Sequence, residues 1–112
     1  MKQHTMHLQP VFFDLIKDGQ KTIELRLWDE KRSLIRPGDE IIFIKDKSEE
    51  TIATTVNNMV IAKDFESLFD IIDIRKTGFK TKEIALNTSE QFCGKTKQQQ
   101  TGVVGIGISL LK

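Results

Sequence analysis

Cysteine, proline and long apolar runs are scarce in this chain of 112 residues. It has one cysteine and two prolines, and tryptophan occurs once. A lone Cys93 excludes a disulfide within the chain and fits a reducing, cytoplasmic setting. No stretch approaches the roughly 18 apolar residues that a membrane span needs. The opening "MKQHTMHLQP" lacks the apolar centre of a secretory signal. Excess charge of one sign is also missing: 17 Lys and Arg face 16 Asp and Glu, for a net charge of +1. Broad non-specific duplex binding relies on a basic surface, so that class is disfavoured. A small basic cleft holding one or a few nucleotides is not. The length suits one domain over residues 1–112, and no repeat or linker interrupts it.

What is present is alternation, broken by clear punctuation. "HTMHL" reads as a short first strand. "PVFFDLIKDG" reads as a helix, with Pro10 in its first turn and Gly19 just past its end. From Lys21 the period becomes two: Ile23, Leu25 and Leu27 share one face, and Thr22, Glu24, Arg26 and Trp28 the other. Asp29 is placed to cap a helical turn through "EKRSLI". Pro37-Gly38 fits the centre of a type II turn, and Glu40 to Ile44 make an apolar strand. "KDKSEE" is a hairpin loop. "TIATTVNNMVIA" is too long for a straight strand, which predicts a bend near Asn57-Asn58.

Asp64 is the expected cap of a helix carrying Phe65, Leu68, Phe69 and Ile72. Thr81 caps a second helix through about Asn87. "GKTKQQQTG" reads as a loop or frayed helix. "GVVGIGISLL" is a closing strand whose Gly105 and Gly107 mark a tight bend or a close approach. The order suits an α+β domain built on a curled sheet.

The chemistry concentrates between Lys21 and Arg32. Glu24 and Arg26 stand two apart on one strand face, about 7 Å along the backbone, and can hold each other in place. A held guanidinium offers a fixed fork of donors to phosphate or carbonyl oxygen. Trp28 could stack on a base, and Lys31 and Arg32 add positive charge beyond it. The plain alternative is a solvated strand face whose loose ion pairs contribute little. Strict alternation sends Lys21 to the face opposite Glu24, so a shared cleft needs a turn or bulge at Lys21-Thr22, or a lysine stem bent round the sheet edge.

Other candidates are weaker. His4 and His7 fall on opposite sides of a strand with no third ligand nearby, so no metal site is expected, and no cofactor. Cys93 has no histidine partner in its sequence context and reads as a structural or partly exposed thiol.

The series Gly19, Lys21, Glu24, Arg26, written "GQKTIELR", followed by Asp29 to Arg32 and Pro37-Gly38-Asp39, closely resembles the ASCH family of the PUA-like superfamily. The closest part of that resemblance spans about residues 10 to 44, and "GVVGI" also fits. It implies a curled mixed sheet or barrel of five or six strands with flanking helices. It further implies a cleft floored by Lys21, Glu24 and Arg26, and an association with RNA or nucleotides.

Some members of the family are hydrolases, acting on acetylated cytidine or on RNA. In the deacetylating type a lysine and an arginine match Lys21 and Arg26, but a threonine stands in place of Glu24. A further glutamate is needed there; Thr77 and its neighbours fall nearest, with Glu83 as a later candidate. Three readings follow. The first is a module binding single-stranded RNA or a nucleotide through Lys21, Glu24, Arg26, Trp28, Lys31 and Arg32. The second is a hydrolase with Lys21, Glu24 and Arg26 as its catalytic groups. The third is a protein-interaction module whose cleft has lost any ligand. The oligomeric state is left open.

Overall fold

In the computed structural model, residues 1–111 are described. Five strands form one mixed sheet: β1 (Gln3–Leu8), β2 (Ile23–Leu27), β3 (Glu40–Lys45), β4 (Thr51–Ala62) and β5 (Val103–Leu110). Four helices accompany it: α1 (Pro10–Lys17), α2 (Phe65–Phe69), α3 (Lys82–Phe92) and α4 (Lys95–Thr101). The strand order is β1-β3-β4-β5-β2, with β1 parallel to β3 and every other pair antiparallel. The sheet therefore curls into a half-barrel whose two outer strands, β1 and β2, flank an open seam. No helix is long and apolar enough to cross a membrane among the described residues.

Two local features shape the sheet and its connections. The first is a register shift in β4 between Val56 and Met59, where the bend at Asn57-Asn58 was expected. Gly107 on β5 faces it, and a Cβ there would stand 2.1 Å from the Asn58 side-chain oxygen, so the closing strand needs glycine to let the bulge approach. The second is the turn before β3. The Asp39 N–H donates to Arg36 C=O at 3.0 Å, and Gly38 has φ of 92°, as a type II turn requires.

β5 separates two apolar cores. Val104, Ile106 and Ile108 meet Met6, Phe13, Ile16, Ile41 and Phe43 inside the half-barrel. Val103, on the other face, joins Phe65, Leu68, Phe69 and Ala85 beneath α2 and α3. Two expectations about helix ends need correction, and one open alternative is decided. α2 stops at Phe69, leaving Ile71 exposed. α3 runs on past Asn87 to Phe92. The polar segment after Gly94 is a helix, α4, because the buried Gln98 accepts from Phe65 N–H at 3.0 Å and donates to Cys93 C=O at 2.8 Å.

Candidate functional site

Lys21 resolves the alternation puzzle because it precedes β2. Its N–H donates to Leu15 C=O at the end of α1, and Thr22 N–H donates to Lys76 C=O. The chain thus turns into the strand at Ile23, and the Lys21 stem runs under the sheet edge. Its ammonium lies 2.8 Å from Ile23 C=O, 2.9 Å from Thr77 C=O and 3.3 Å from Glu24 Oε1. The Phe12 ring lies alongside, 5.7 Å from Nζ to its centroid. Lys21 is 3% and Glu24 4% exposed, so this is an interior ion pair and not a solvated strand face.

Glu24 is saturated. Oε1 accepts from Leu25 N–H at 3.0 Å as well as facing Lys21, and Oε2 accepts from Arg26 at 2.9 Å. Burial pushes its carboxyl up, but Lys21, Arg26 and the Leu25 amide outweigh that and hold it below the usual carboxylate range. Burial also pulls the Lys21 ammonium below the ordinary lysine range, against the attraction of Glu24. With three acceptors around three donors, the ammonium remains the fitting form. Arg26 gives Nε to Glu24 and Nη2 to His7 C=O at 2.8 Å, so its guanidinium bridges the open seam between β2 and β1. Its Nη1 has no partner among the described residues.

These three residues line a cavity of about 310 Å³. Four phenylalanines contribute to its walls, Phe12, Phe65, Phe79 and Phe92, and Phe12 meets Phe79 edge-on at 5.7 Å. Phe92 is 59% exposed at the rim. Arg32 also lines the cavity. Asp29 caps the turn at Arg32 N–H, 3.0 Å, as expected, and also takes Arg32 Nη1 at 3.0 Å. Arg32 Nε is buried and unpaired among the described residues.

Two expected members are absent from the lining. Trp28 packs against the inner core instead, and Lys31 points into solvent. Nor is the cleft one of excess positive charge: Lys21, Arg26 and Arg32 face Glu24, Asp29 and Asp46. Thr77 is buried and supplies its carbonyl to Lys21, whereas Glu83 is exposed and away from the cavity.

Sequence reasoning missed the aromatic walls and the α3 contribution of Thr88, Ser89 and Phe92. The available signal was a single phenylalanine beside Cys93 at the end of the polar stretch after Leu86. Cys93 borders the cavity, and burial pushes its thiol up, away from reactive thiolate character. Among the described residues no group of three or more His, Cys, Asp and Glu could hold a metal.

A five-stranded half-barrel, with a small aromatic cleft at its open seam and a guanidinium bridging that seam, defines the class. The chain belongs to the ASCH domain family, which it matches over residues 6–111. It is similar to the crystal structure of hypothetical protein PH0355, with 33% identity and a TM-score of 0.86 over 99% of this chain and 100% of that one. It is also similar to protein PF0455 from Pyrococcus furiosus, at 29% identity and a TM-score of 0.74, covering 100% and 99% of the two chains. An ASCH protein from Zymomonas mobilis shares the fold at 16% identity and a TM-score of 0.69, over 94% of this chain and 65% of that one. No curated protein matches the chain.

Proposed function

We propose that this protein binds one unpaired nucleotide, free or within single-stranded RNA, in the cleft at the β1–β2 seam. The observation that carries the reading is Arg26: Glu24 and His7 C=O fix its guanidinium, while Nη1 stays open at an aromatic-walled cavity. Such a fork suits a phosphate or base oxygen. The unpaired Arg32 Nε supports a second acceptor on the same side. A volume of about 310 Å³ sits at the low end of ligand pockets, which run from about 300 to 1,000 Å³. That favours a single nucleotide over a long groove. Family membership and the PUA-type fold support nucleic acid as the ligand class.

In this reading Arg26 contacts the ligand, Lys21 and Glu24 position Arg26, and Phe92 stacks at the rim. The saturated lone pairs of Glu24 and the committed donors of Lys21 favour positioning over proton transfer. Titration with ribonucleoside monophosphates and short single-stranded RNAs tests it. Salt-sensitive binding is expected, and Phe92→Ala should lose on the order of 1–3 kcal/mol of affinity. Trp28→Ala should weaken folding and leave affinity nearly unchanged. Absence of binding to a varied RNA pool at low salt overturns the proposal.

A further inference from the structure

A cavity over one face of a strand is lined by alternate residues. This one is lined by four consecutive residues of β2, Glu24 to Leu27, so it lies across the edge of that strand. The ladder tells which main-chain groups point there. Ile108 N–H donates to Thr22 C=O, and Trp28 N–H to Gly102 C=O, both at 2.9 Å. With the register pairing Glu24 with Ile106 and Arg26 with Val104, the even-numbered residues of β2 bond β5. In an antiparallel ladder the intervening residues turn both main-chain groups outward. Ile23, Leu25 and Leu27 therefore present N–H and C=O to the seam.

Site side chains already occupy part of this edge. Lys21 takes Ile23 C=O, and Glu24 takes Leu25 N–H. Across the seam, Arg26 takes His7 C=O. What remains on β2, with no partner among the described residues, is Ile23 N–H at the start of the strand and, beside the cavity, Leu25 C=O followed by Leu27 N–H and C=O. A run of two residues is too short for an added peptide strand, since strands usually run about 5–6 residues. It suits a flat ligand that presents a donor and an acceptor side by side.

We propose that the main-chain edge of β2 reads the base: Leu25 C=O accepts an N–H of its Watson–Crick edge, and Leu27 N–H donates to the neighbouring acceptor. This rests on the nucleotide reading and deepens it. Every nucleobase carries such a donor–acceptor pair, and pairing in a duplex would consume it. The edge thus demands an unpaired base while discriminating little among the four. The cleft's phenylalanines are then left to cover the ring faces.

The test is an amide-shift titration of the ¹⁵N-labelled protein with the four ribonucleoside monophosphates and with short single-stranded RNAs. Whichever nucleotide binds is then compared with its derivative methylated until no N–H remains at the donor nitrogen of the pair: N3-methyl for uridine, N1-methyl for guanosine, and the dimethylated exocyclic amine for cytidine or adenosine. The expected result is a leading shift of the Leu27 amide and binding about 10-fold or more weaker for the methylated derivative, whose substituent leaves Leu25 C=O unpaired. Binding with a silent Leu27 amide, or equal binding of the methylated derivative, overturns this inference and leaves the nucleotide reading standing. Failure of every nucleotide and RNA to bind overturns both. In a parallel arm, short extended peptides that move the Leu27 amide when nucleotides do not would assign the edge to strand addition and overturn the proposal.

Discussion

Two buried carboxylates in this molecule use the same device to different ends. Asp39, in the turn before β3, accepts from Lys2 N–H at 3.1 Å and Arg36 N–H at 3.0 Å, and lies 2.9 Å from His4 Nε2. Glu24, on β2, accepts from the Leu25 amide, Lys21 and Arg26. Each is satisfied. The difference lies in the donors. At Asp39 two main-chain amides and the short His4 ring converge, so that cluster fastens β1 to its turn and goes no further. The donors at Glu24 are long side chains with hydrogens to spare: Lys21 reaches Thr77, and Arg26 reaches across the seam and faces the cavity. A carboxylate held mainly by main-chain amides closes a turn, whereas one held mainly by long side-chain cations aims them.

The comparison breaks most visibly at Glu24. Glu24→Ala strands the Lys21 ammonium in the interior, and removing one partner of a buried ion pair typically costs about 3–5 kcal/mol. Urea unfolding should show a loss of that order, and adding Lys21→Met should recover part of it. A loss below about 1 kcal/mol would mean the cluster behaves as a hydrated surface pair.

Asp39 should answer to acid. The His4 ring and the Lys2 and Arg36 amides hold its carboxyl well below the usual carboxylate range. A group with a depressed folded value stabilises the fold above its unfolded pKa of about 4, and that contribution is lost as pH falls toward the folded value. Asp39→Asn should therefore lower the melting temperature at pH 7 and flatten its decline below about pH 4. The Glu24 carboxyl is also depressed, so some acid sensitivity should persist in the variant. A full wild-type slope in Asp39→Asn would move the acid response elsewhere.

A smaller effect separates the turn from the carboxylate it carries. No atom lies within 4 Å of where a Gly38 Cβ would sit, so Gly38→Ala meets only the backbone penalty of its positive φ. That amounts to about 1 kcal/mol. An unchanged unfolding midpoint would show that the turn relaxes freely while Asp39 keeps its partners.

Local signals made much of this fold legible. Asp64 and Thr81 cap their helices by accepting from Ser67 N–H at 2.8 Å and Ile84 N–H at 3.2 Å, as their side-chain chemistry dictates. The Pro37-Gly38 turn follows from backbone sterics just as directly, and the bend at Asn57-Asn58 from a segment too long to stay one straight strand. What stayed hidden depends on contacts between distant segments. α4 has almost no apolar stripe and is tied down by Gln98, which bonds Phe65 and Cys93. The C-terminal half of α3 is similarly polar, so Phe92 and the cavity wall it forms could not be placed from periodicity. Trp28 shares a strand face with Glu24 and Arg26, but that face curls inward, and its far end meets the core before it reaches the seam.

The smallest expected effect separates positioning from proton transfer. Glu24→Gln keeps the size and one acceptor oxygen while removing the charge. If Glu24 only holds Arg26, Gln should weaken nucleotide binding modestly, by no more than about 1 kcal/mol, because its amide oxygen can still accept from Arg26 Nε and His7 C=O still holds Nη2. If Glu24 moves protons, Gln cannot, and hydrolysis of acetylated nucleosides or RNA should fall by roughly 100-fold or more while binding stays nearly intact. The measurement is a screen of the wild type on both substrate classes, with Glu24→Gln and Lys21→Ala then assayed on whichever is turned over. The structure favours positioning, because both Glu24 oxygens are already engaged by Lys21, Arg26 and the Leu25 amide. The expected outcome is therefore nucleotide binding without turnover, slightly weakened by the substitution. Turnover that collapses in Glu24→Gln at unchanged affinity would reverse the contrast with Asp39, making Glu24 a reacting group where Asp39 is only a fastening.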